Sequence, residues 1–586
     1  MSKLNVDQAS IMKLFSDRKS DFLIPDYQRP YAWDEDLCQT LWDDIFSFAI
    51  PDNDAYKFNT NEEYFLGSIV TFKNDDDKLE VIDGQQRLTT LMLLLRAFYG
   101  RFEMMSDENS RKMRERISNC IWKADEFGNA DMNILKIDSE VATDDDKEEF
   151  LSILKTGEAP MNLKSNYANN YRFFQEKIDQ FLQNYPSYFP FLPARILENC
   201  ILLPIEAESQ DTALRIFSTL NDRGMPLSDA DIFKAQFYGF YKTRGEYERE
   251  SFISQWRELE SVCKKNFHPS TGTPMDELFT RYMYFVRAKK GVKSTTTEAL
   301  RKFYERDKYA ILKNDTTFQD LKILANFWND INEQNSERFL LGVLRKLRIL
   351  DFAPNGMWSY FISVYFMQNK DEDEMLDNES FEKFLTKTIA FVWAYAILRP
   401  GVNALRTPIF AEMVNIVNNK NVTFNEFKFD FEQTKVAFYN YDFRNTRPIT
   451  KSMLALRMLN FEEQKLPEAS TLFEIEHIFA KNRQANERTL KDARNLESLG
   501  NKALLEKKIN IRASDYRFED KVKYYVGFTN DRGQHRPGTI DYELIELSRK
   551  PDFTEADIES RNHEIIDQFL NYLKENELVQ ELAKGV

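Results

Sequence analysis

Two stretches of the 586-residue sequence carry residue types that act on phosphates. The first is Asp83, Gly84, Gln85, Gln86 and Arg87, set in "LEVIDGQQRLTTLMLLLR" where an apolar β-like run passes into leucines at helical spacing. A strand-to-helix turn offers free N–H groups at the positive end of a helix dipole, and a glycine lets a ligand approach the backbone. Arg87 adds a planar fork for phosphate or carboxylate, and Asp83 could hold a metal, a water or a ribose hydroxyl. The same residues also suit a capped β-α turn whose polar side chains are merely solvated. The second stretch holds Glu476 beside His477, in a chain with 4 His, followed by Asn501 after the glycine of "LGNKALL" and by Asn510 on the next amphipathic segment. Phosphodiester hydrolysis needs a base for the water, a divalent cation for the charge of the transition state, and a group that fixes the base. A histidine, a carboxylate and an amide are the types required, although a Glu-His pair by itself is also a common structural feature.

The elements that must position these groups are legible in outline. Leu79, Val81 and Ile82 suit a short buried strand, and Leu88, Leu91, Met92 and Leu95 one side of a helix. Upstream, "FLIPDYQRPYAW" reads as an extended segment around Pro25 and Pro30, after which Asp34 caps a helix that turns Leu37, Leu41 and Ile45 inward. "YFLGSIVTF" reads as a strand hairpinned through "KNDDDK" to the strand before Asp83. Residues 101–200 read as mostly helical, with the acidic "DSEVATDDDKEEF" a solvated loop or helix end. A strand over 201–205, a helix over 213–220 ending in Asn221, Arg223 and Gly224, and a helix capped around Ser228 to Asp231 come next. Residues 245–450 are helix after helix without a repeat period or a catalytic cluster, and their aromatic density is most simply core. Residues 476–525 carry 12 Lys or Arg against 8 Asp or Glu, a local basic excess suited to a phosphate backbone. The expected organisation is a predominantly helical multidomain α+β protein, divided into 1–240, 241–450 and 451–586.

Composition narrows the classes. A formal charge of −16 excludes a surface that coats polyanions generally, so any nucleic-acid contact must be a local patch. Cys38, Cys120, Cys200 and Cys263 are scattered without a CxxC pair, against a zinc knuckle or disulfide framework. The longest apolar run, "IAFVWAYAIL", is about half of what spans a bilayer. A cytoplasmic protein without a membrane partner is expected, and a homodimer is allowed because nothing in the sequence fixes the oligomeric state.

The motifs together resemble a known family. "EHI", "LGNKALLEKKIN" and "FEDKVKYY" are similar to the HNH (His-Me finger, ββα-metal) nuclease domain at the C-terminus of GmrSD-type modification-dependent restriction enzymes, over about residues 450–560. The resemblance implies that His477 is the general base, Asn501 positions its ring, Glu476 and Asn510 hold Mg²⁺ or another divalent cation, and Lys521 contacts phosphate. Lys502, Lys507 and Lys508 belong to the implied DNA-binding patch. Two positions depart from the pattern: Phe479 and Ala480 stand where a proline usually comes, and Lys502 replaces a common leucine. "IPDYQRPYAW", "FLGSIV", "VIDGQQRLTTL" and "FSTLNDRGMPLSDADIFKAQ" look like the ParB-like nucleotidase domain of the same enzymes, over about residues 10–240. That implies a nucleoside triphosphate bound and hydrolysed by Asp83, Gly84, Gln85, Gln86 and Arg87, with Gln28, Arg29, Asn221, Arg223 and Gly224 beside them, on a site without a P-loop. The implied function is a nucleotide-regulated, Mg²⁺-dependent DNA endonuclease acting against phage or foreign DNA and sensing DNA modification. The alternative is a nucleotide-switched DNA-binding or interaction protein with a degenerate nuclease domain.

Overall fold

The computed structural model describes residues 8–141, 144, 146–210, 212–214, 216, 228–296, 298–401, 403–513, 517–530 and 532–580. The protein is a mostly helical, multidomain α+β chain with 59% helix, and it divides into two compact units, Met1–Arg257 and Glu258–Val586. Asn221, Arg223 and Gly224 lie outside the described residues, as does most of the helix expected over 213–220.

In the first unit, strands β1 (Ala9–Ser10), β2 (Phe22–Ile24), β3 (Tyr64–Lys73) and β4 (Leu79–Asp83) are succeeded by a separate hairpin of β5 (Trp122–Ala124) and β6 (Ala130–Leu135), then by β7 (Ile137–Ser139) and β8 (Cys200–Ala207). Six of them form one mixed sheet in the order β1-β8-β3-β4-β2-β7. The β3–β4 hairpin forms because Asn74 folds its side chain into the turn, accepting from the N–H groups of Asp76 at 3.1 Å and Lys78 at 2.9 Å. β4 then feeds the Gln85–Glu103 helix through Gly84, which sits at φ 89° where a Cβ is disfavoured. Leu88, Leu91, Met92 and Leu95 are fully buried as their spacing predicts, but so are Leu93 and Leu94 together with Thr89, Thr90 and Arg96, so this helix runs through the core and is buried nearly all round. Each such leucine contributes about 1.5–3 kcal/mol of burial.

Two expectations shift. Asp34 caps the Glu35–Ala49 helix, accepting from the Leu37 N–H at 3.1 Å, but the inward face is Cys38, Trp42 and Ile45. Leu37 is 40% exposed, because the larger Trp42 ring stacks against Phe98 and sets the helix rotation. The acidic segment that begins at Asp138 is not simply a solvated loop. Its first residues lie in β7, the edge strand parallel to β2, and Asp144 is buried, accepting from the Tyr167 hydroxyl at 2.6 Å.

The second unit contains the helical region and the C-terminal strands and helices. The aromatic residues of the helical region are core: Phe391 stacks on Phe424 at 3.7 Å and Phe327 on Phe366 at 3.9 Å. The short strand β9 (Phe429–Asp430) precedes β10 (Phe473–His477) and β11 (Lys502–Glu506), which pair antiparallel with His477 opposite Lys502. The Lys507–Ala513 and Phe518–Val526 helices come next, then a hairpin of β12 (Phe528–Thr529) and β13 (His535–Arg536), the long Glu555–Glu575 helix, and β14 (Val579–Gln580) alongside β9.

Candidate functional site

At the end of β4 the five polar residues separate by burial. Gln85 and Gln86 are buried, whereas Asp83, Gly84 and Arg87 remain partly open. Both ends of the Gln86 amide are engaged by the chain: its Oε1 accepts from the N–H groups of Ala32 at 2.7 Å and Trp33 at 3.3 Å, and its Nε2 donates to the Pro30 carbonyl at 3.1 Å. Gln85 donates to the Arg29 carbonyl at 3.3 Å, and Gln28, 4% exposed, donates to the carbonyls of Val81 and Ile82 at 3.1 Å each. The three glutamines, read in the sequence as ligand contacts, therefore fasten the 25–33 segment to β4 and to the start of the helix. That segment is not extended throughout as expected but opens in a turn closed by the Gln28 N–H on the Pro25 carbonyl at 3.1 Å.

The side chains that frame the open turn are Asp83 and Arg87. Burial raises the Asp83 carboxyl above its ordinary range, against the pull of Arg87, the Gly84 N–H, Arg29 and Ser68. Arg87 donates to the Ser68 carbonyl at 2.8 Å, and burial lowers its pKa while Asp83 opposes the shift. Gly67, at φ 121° where the β3–β8 register shifts, gives the guanidinium its room: a Cβ there would lie 2.7 Å from its central carbon. The helix start has no side-chain cap. Its first N–H groups beside Arg87 form a place for an anion.

In the second unit, consecutive strand residues point to opposite faces, and this splits Glu476 from His477. Glu476 is 4% exposed and its Oε1 accepts from Lys521 Nζ at 2.8 Å and from the Tyr525 hydroxyl at 2.6 Å. Lys521 also donates to the His477 carbonyl at 2.6 Å. His477 faces the other way, towards Glu497, whose Oε2 lies 3.5 Å from Nε2. That contact lacks hydrogen-bond geometry, so Nε2 is a buried nitrogen without a hydrogen-bond partner. Burial, and then Lys481 and Lys502, push the His477 pKa down to about 4 against the opposing Glu497, leaving the ring neutral at pH 7. Burial disfavours the ionised Glu497, but hydrogen bonds from Lys502 and Lys481 override it and hold the carboxyl at about 2.

Asn501 has no exposed surface and clamps the turn after the histidine. Its Oδ1 accepts from the Phe479 N–H at 2.6 Å, and its Nδ2 donates to the carbonyls of Phe479 at 3.1 Å and Leu496 at 3.0 Å. It acts on His477 through the backbone, not through the ring. The two expected metal ligands do not meet at His477. Glu476 lies on the opposite face, and Asn510 donates to Glu474 at 2.9 Å, three residues earlier on β10 and also on the face away from His477. Among the described residues no three His, Cys, Asp or Glu side chains converge as a metal site.

The basic patch is revised for the same reason of facing. Lys502 has no exposed surface and donates to the Phe443 carbonyl and to Glu497 Oε2, both at 2.6 Å. Lys521 is 1% exposed and held by Glu476. Neither presents its ammonium to a solvent-borne ligand, whereas Lys507 and Lys508 are exposed. Sequence reading missed Glu497, 20 residues from His477 with no local signal, and Tyr525, whose four-residue spacing from Lys521 on one helix was the available clue.

No curated protein matches the chain. The model for the N-terminal domain of the GmrSD restriction endonuclease matches residues 11–238, which contain β2 to β8 and the Asp83 turn. The model for the C-terminal domain of GmrSD restriction endonucleases matches residues 424–568, which contain the β10–β11 pair with His477 and Asn501. With both domains in order on one polypeptide, the chain belongs to the GmrSD-type restriction endonucleases.

Proposed function

We propose that the chain is a DNA endonuclease in defence against phage or other foreign DNA, in which a ParB-like N-terminal domain binds and hydrolyses a nucleoside triphosphate and an HNH-like C-terminal domain cuts DNA. The observation that carries the reading is His477: a neutral imidazole at the end of a strand, with a buried, unpartnered Nε2, its backbone held by Asn501 and Lys521. Such a ring takes the proton from a water as that water attacks phosphorus, and the exposed Lys507 and Lys508 offer charge to the DNA backbone. Glu497, held ionised at about 2, then stabilises the imidazolium that forms. Mg²⁺ held jointly by Glu476 and Asn510 does not fit the arrangement, since both side chains are engaged elsewhere and face away from His477. The side chains this chain offers for activating the water are His477 and, beside it, Glu497. A triphosphate fits the first unit better, with the uncapped helix start and Arg87 receiving phosphate and Asp83 placed for a water or a hydroxyl.

Plasmid cleavage in Mg²⁺ buffer with triphosphate present tests the reading. His477→Ala should lower the rate by about 10²- to 10⁴-fold, the usual cost of a lost general base. An unchanged rate would refute the nuclease assignment and favour a DNA-binding protein. Arg87→Ala should remove phosphate release from the triphosphate, since truncating one partner of a desolvated charge pair costs about 2–5 kcal/mol. Undiminished release would remove the nucleotide site from Arg87.

A further inference from the structure

The β12–β13 hairpin takes no part in the chemistry at Asp83 or at His477. Its sequence, "FTNDRGQHR" over 528–536, carries Arg532, His535 and Arg536 against the single acid Asp531, which lies outside the described residues. Residues 532–536 are all exposed. The ribbon is nonetheless ordered by its own bonds. Phe528 pairs with Arg536 and Thr529 with His535, and Asn530 closes the turn by accepting from the N–H groups of Arg532 at 3.1 Å and Gln534 at 2.9 Å. No described carboxylate forms an ion pair with Arg532 or Arg536. Arg536 donates to the Gln534 amide oxygen at 3.3 Å, lining two planar polar groups along one strand. Exposed arginines cost nothing to leave solvated, but two that form no ion pair with a described carboxylate, beside His535 and against one acid on a small ribbon, are a local positive feature in a chain of net charge −16.

The base of the hairpin is tied to the strand that carries His477. Gly527, at φ 88°, and Gly538 let the two arms close, since a Cβ on Gly527 would lie 2.9 Å from the Arg536 carbonyl oxygen and one on Gly538 would strike the Tyr525 carbonyl. The Thr539 N–H donates to that same Tyr525 carbonyl at 2.9 Å. Tyr525 in turn holds Glu476, the neighbour of His477, at 2.6 Å. Whatever the ribbon grips is thus registered against the histidine through a few buried bonds.

We propose that the β12–β13 hairpin is a DNA-gripping ribbon that enters the major groove of a duplex and sets where the strand lies relative to His477. The major groove, about 12 Å wide, admits a two-stranded ribbon, and arginine and glutamine are side chains that bind base edges as well as phosphates. The proposal rests on the endonuclease reading and names the element that holds its substrate.

The test uses the full chain carrying His477→Ala, so that the probe stays intact, and a fluorescent mixed-sequence duplex titrated at several salt concentrations. Arg532→Ala and Arg536→Ala should each weaken binding by about tenfold and reduce the slope of log affinity against log salt by about one. Arg532→Lys and Arg536→Lys should recover the salt slope, and because both side chains are exposed the fold is not at issue. Unchanged affinity and slope in the alanine variants, or no duplex binding by the His477→Ala chain, would overturn the hairpin assignment even if the parental chain cuts plasmid. Hairpin-dependent binding by a chain that never cuts plasmid would support the ribbon while sinking the endonuclease reading.

Discussion

His477 illustrates how one residue's environment sets its chemistry. An ordinary histidine is half protonated near pH 6.5, whereas burial and the flanking Lys481 and Lys502 hold this one at about 4. Plasmid cleavage should therefore keep its rate as the pH is lowered through 6.5 and lose it only towards about 4, so a half-loss near 6.5 in the pH–rate profile would contradict the assigned environment. The sign for stability comes from the same shift. The unfolded chain takes up the proton at a higher pH than the folded one, so this site's contribution is complete above about 6.5 and is lost as the pH falls towards about 4. Lys502 is the complementary case, a buried ammonium whose charge burial opposes and Glu497 sustains. It stands where the family pattern commonly has a leucine, and here its charge completes the Glu497 cluster beside the base.

Among the elements, the 499–501 turn makes the tightest demands on its surroundings. Gly500 packs so closely on the Glu555–Glu575 helix that a Cβ there would strike the Ile558 carbonyl oxygen. Arg561 of that helix donates to the carbonyls of Leu499 at 3.1 Å, Gly500 at 3.0 Å and Lys502 at 2.6 Å, and pairs with Glu543 at 2.6 Å. Burial disfavours the Glu543 charge, but Arg561 and then Arg457 hold its carboxyl at about 2. Arg561→Ala leaves that carboxylate without its main partner and removes the guanidinium from three backbone carbonyls, of which Leu499 keeps the Lys502 N–H. It should cost about 3–5 kcal/mol, read as a shifted urea midpoint. Because Asn501 sits in the same turn, cleavage should fall with it, and an unshifted midpoint would show that the turn is held by other contacts.

Over the whole molecule, the two candidate chemistries lie on separate compact units with separate cores, Asp83 and Arg87 in one and His477 in the other. His477→Ala should therefore abolish cutting while leaving phosphate release within about twofold of the parent, since sites on separately cored units with no shared partner behave additively. The converse is not symmetric: where nucleotide gates cleavage, Arg87→Ala impairs or deregulates cutting with His477 intact. A parallel loss of phosphate release in His477→Ala would mean that the two units share one cooperative transition.

The sequence by itself determined those features that rest on neighbours along the chain. The Asp34 cap, the passage from β4 through Gly84 into a leucine-rich helix, the β3–β4 hairpin and the capping box of Ser228 and Asp231 all come from local spacing and from short side chains that bond their own backbone. The polar types needed for phosphate chemistry were equally legible, as was the family whose motifs they resemble. Only the tertiary structure decided which way each group faces. Glu476 and His477 are adjacent letters, but the strand pleat sends one into the core with Lys521 and Tyr525 and the other towards Glu497. Lys502 and Lys507 are the same residue type five positions apart, yet the first is buried in β11 on the Phe443 carbonyl and Glu497, and the second is exposed at the start of the next helix. The glutamines of the Asp83 turn read as ligand contacts until the folded 25–33 segment takes up their amides. In each case the side chain's chemistry is local, but its availability depends on partners brought together by long-range packing, and no short window of sequence contains them.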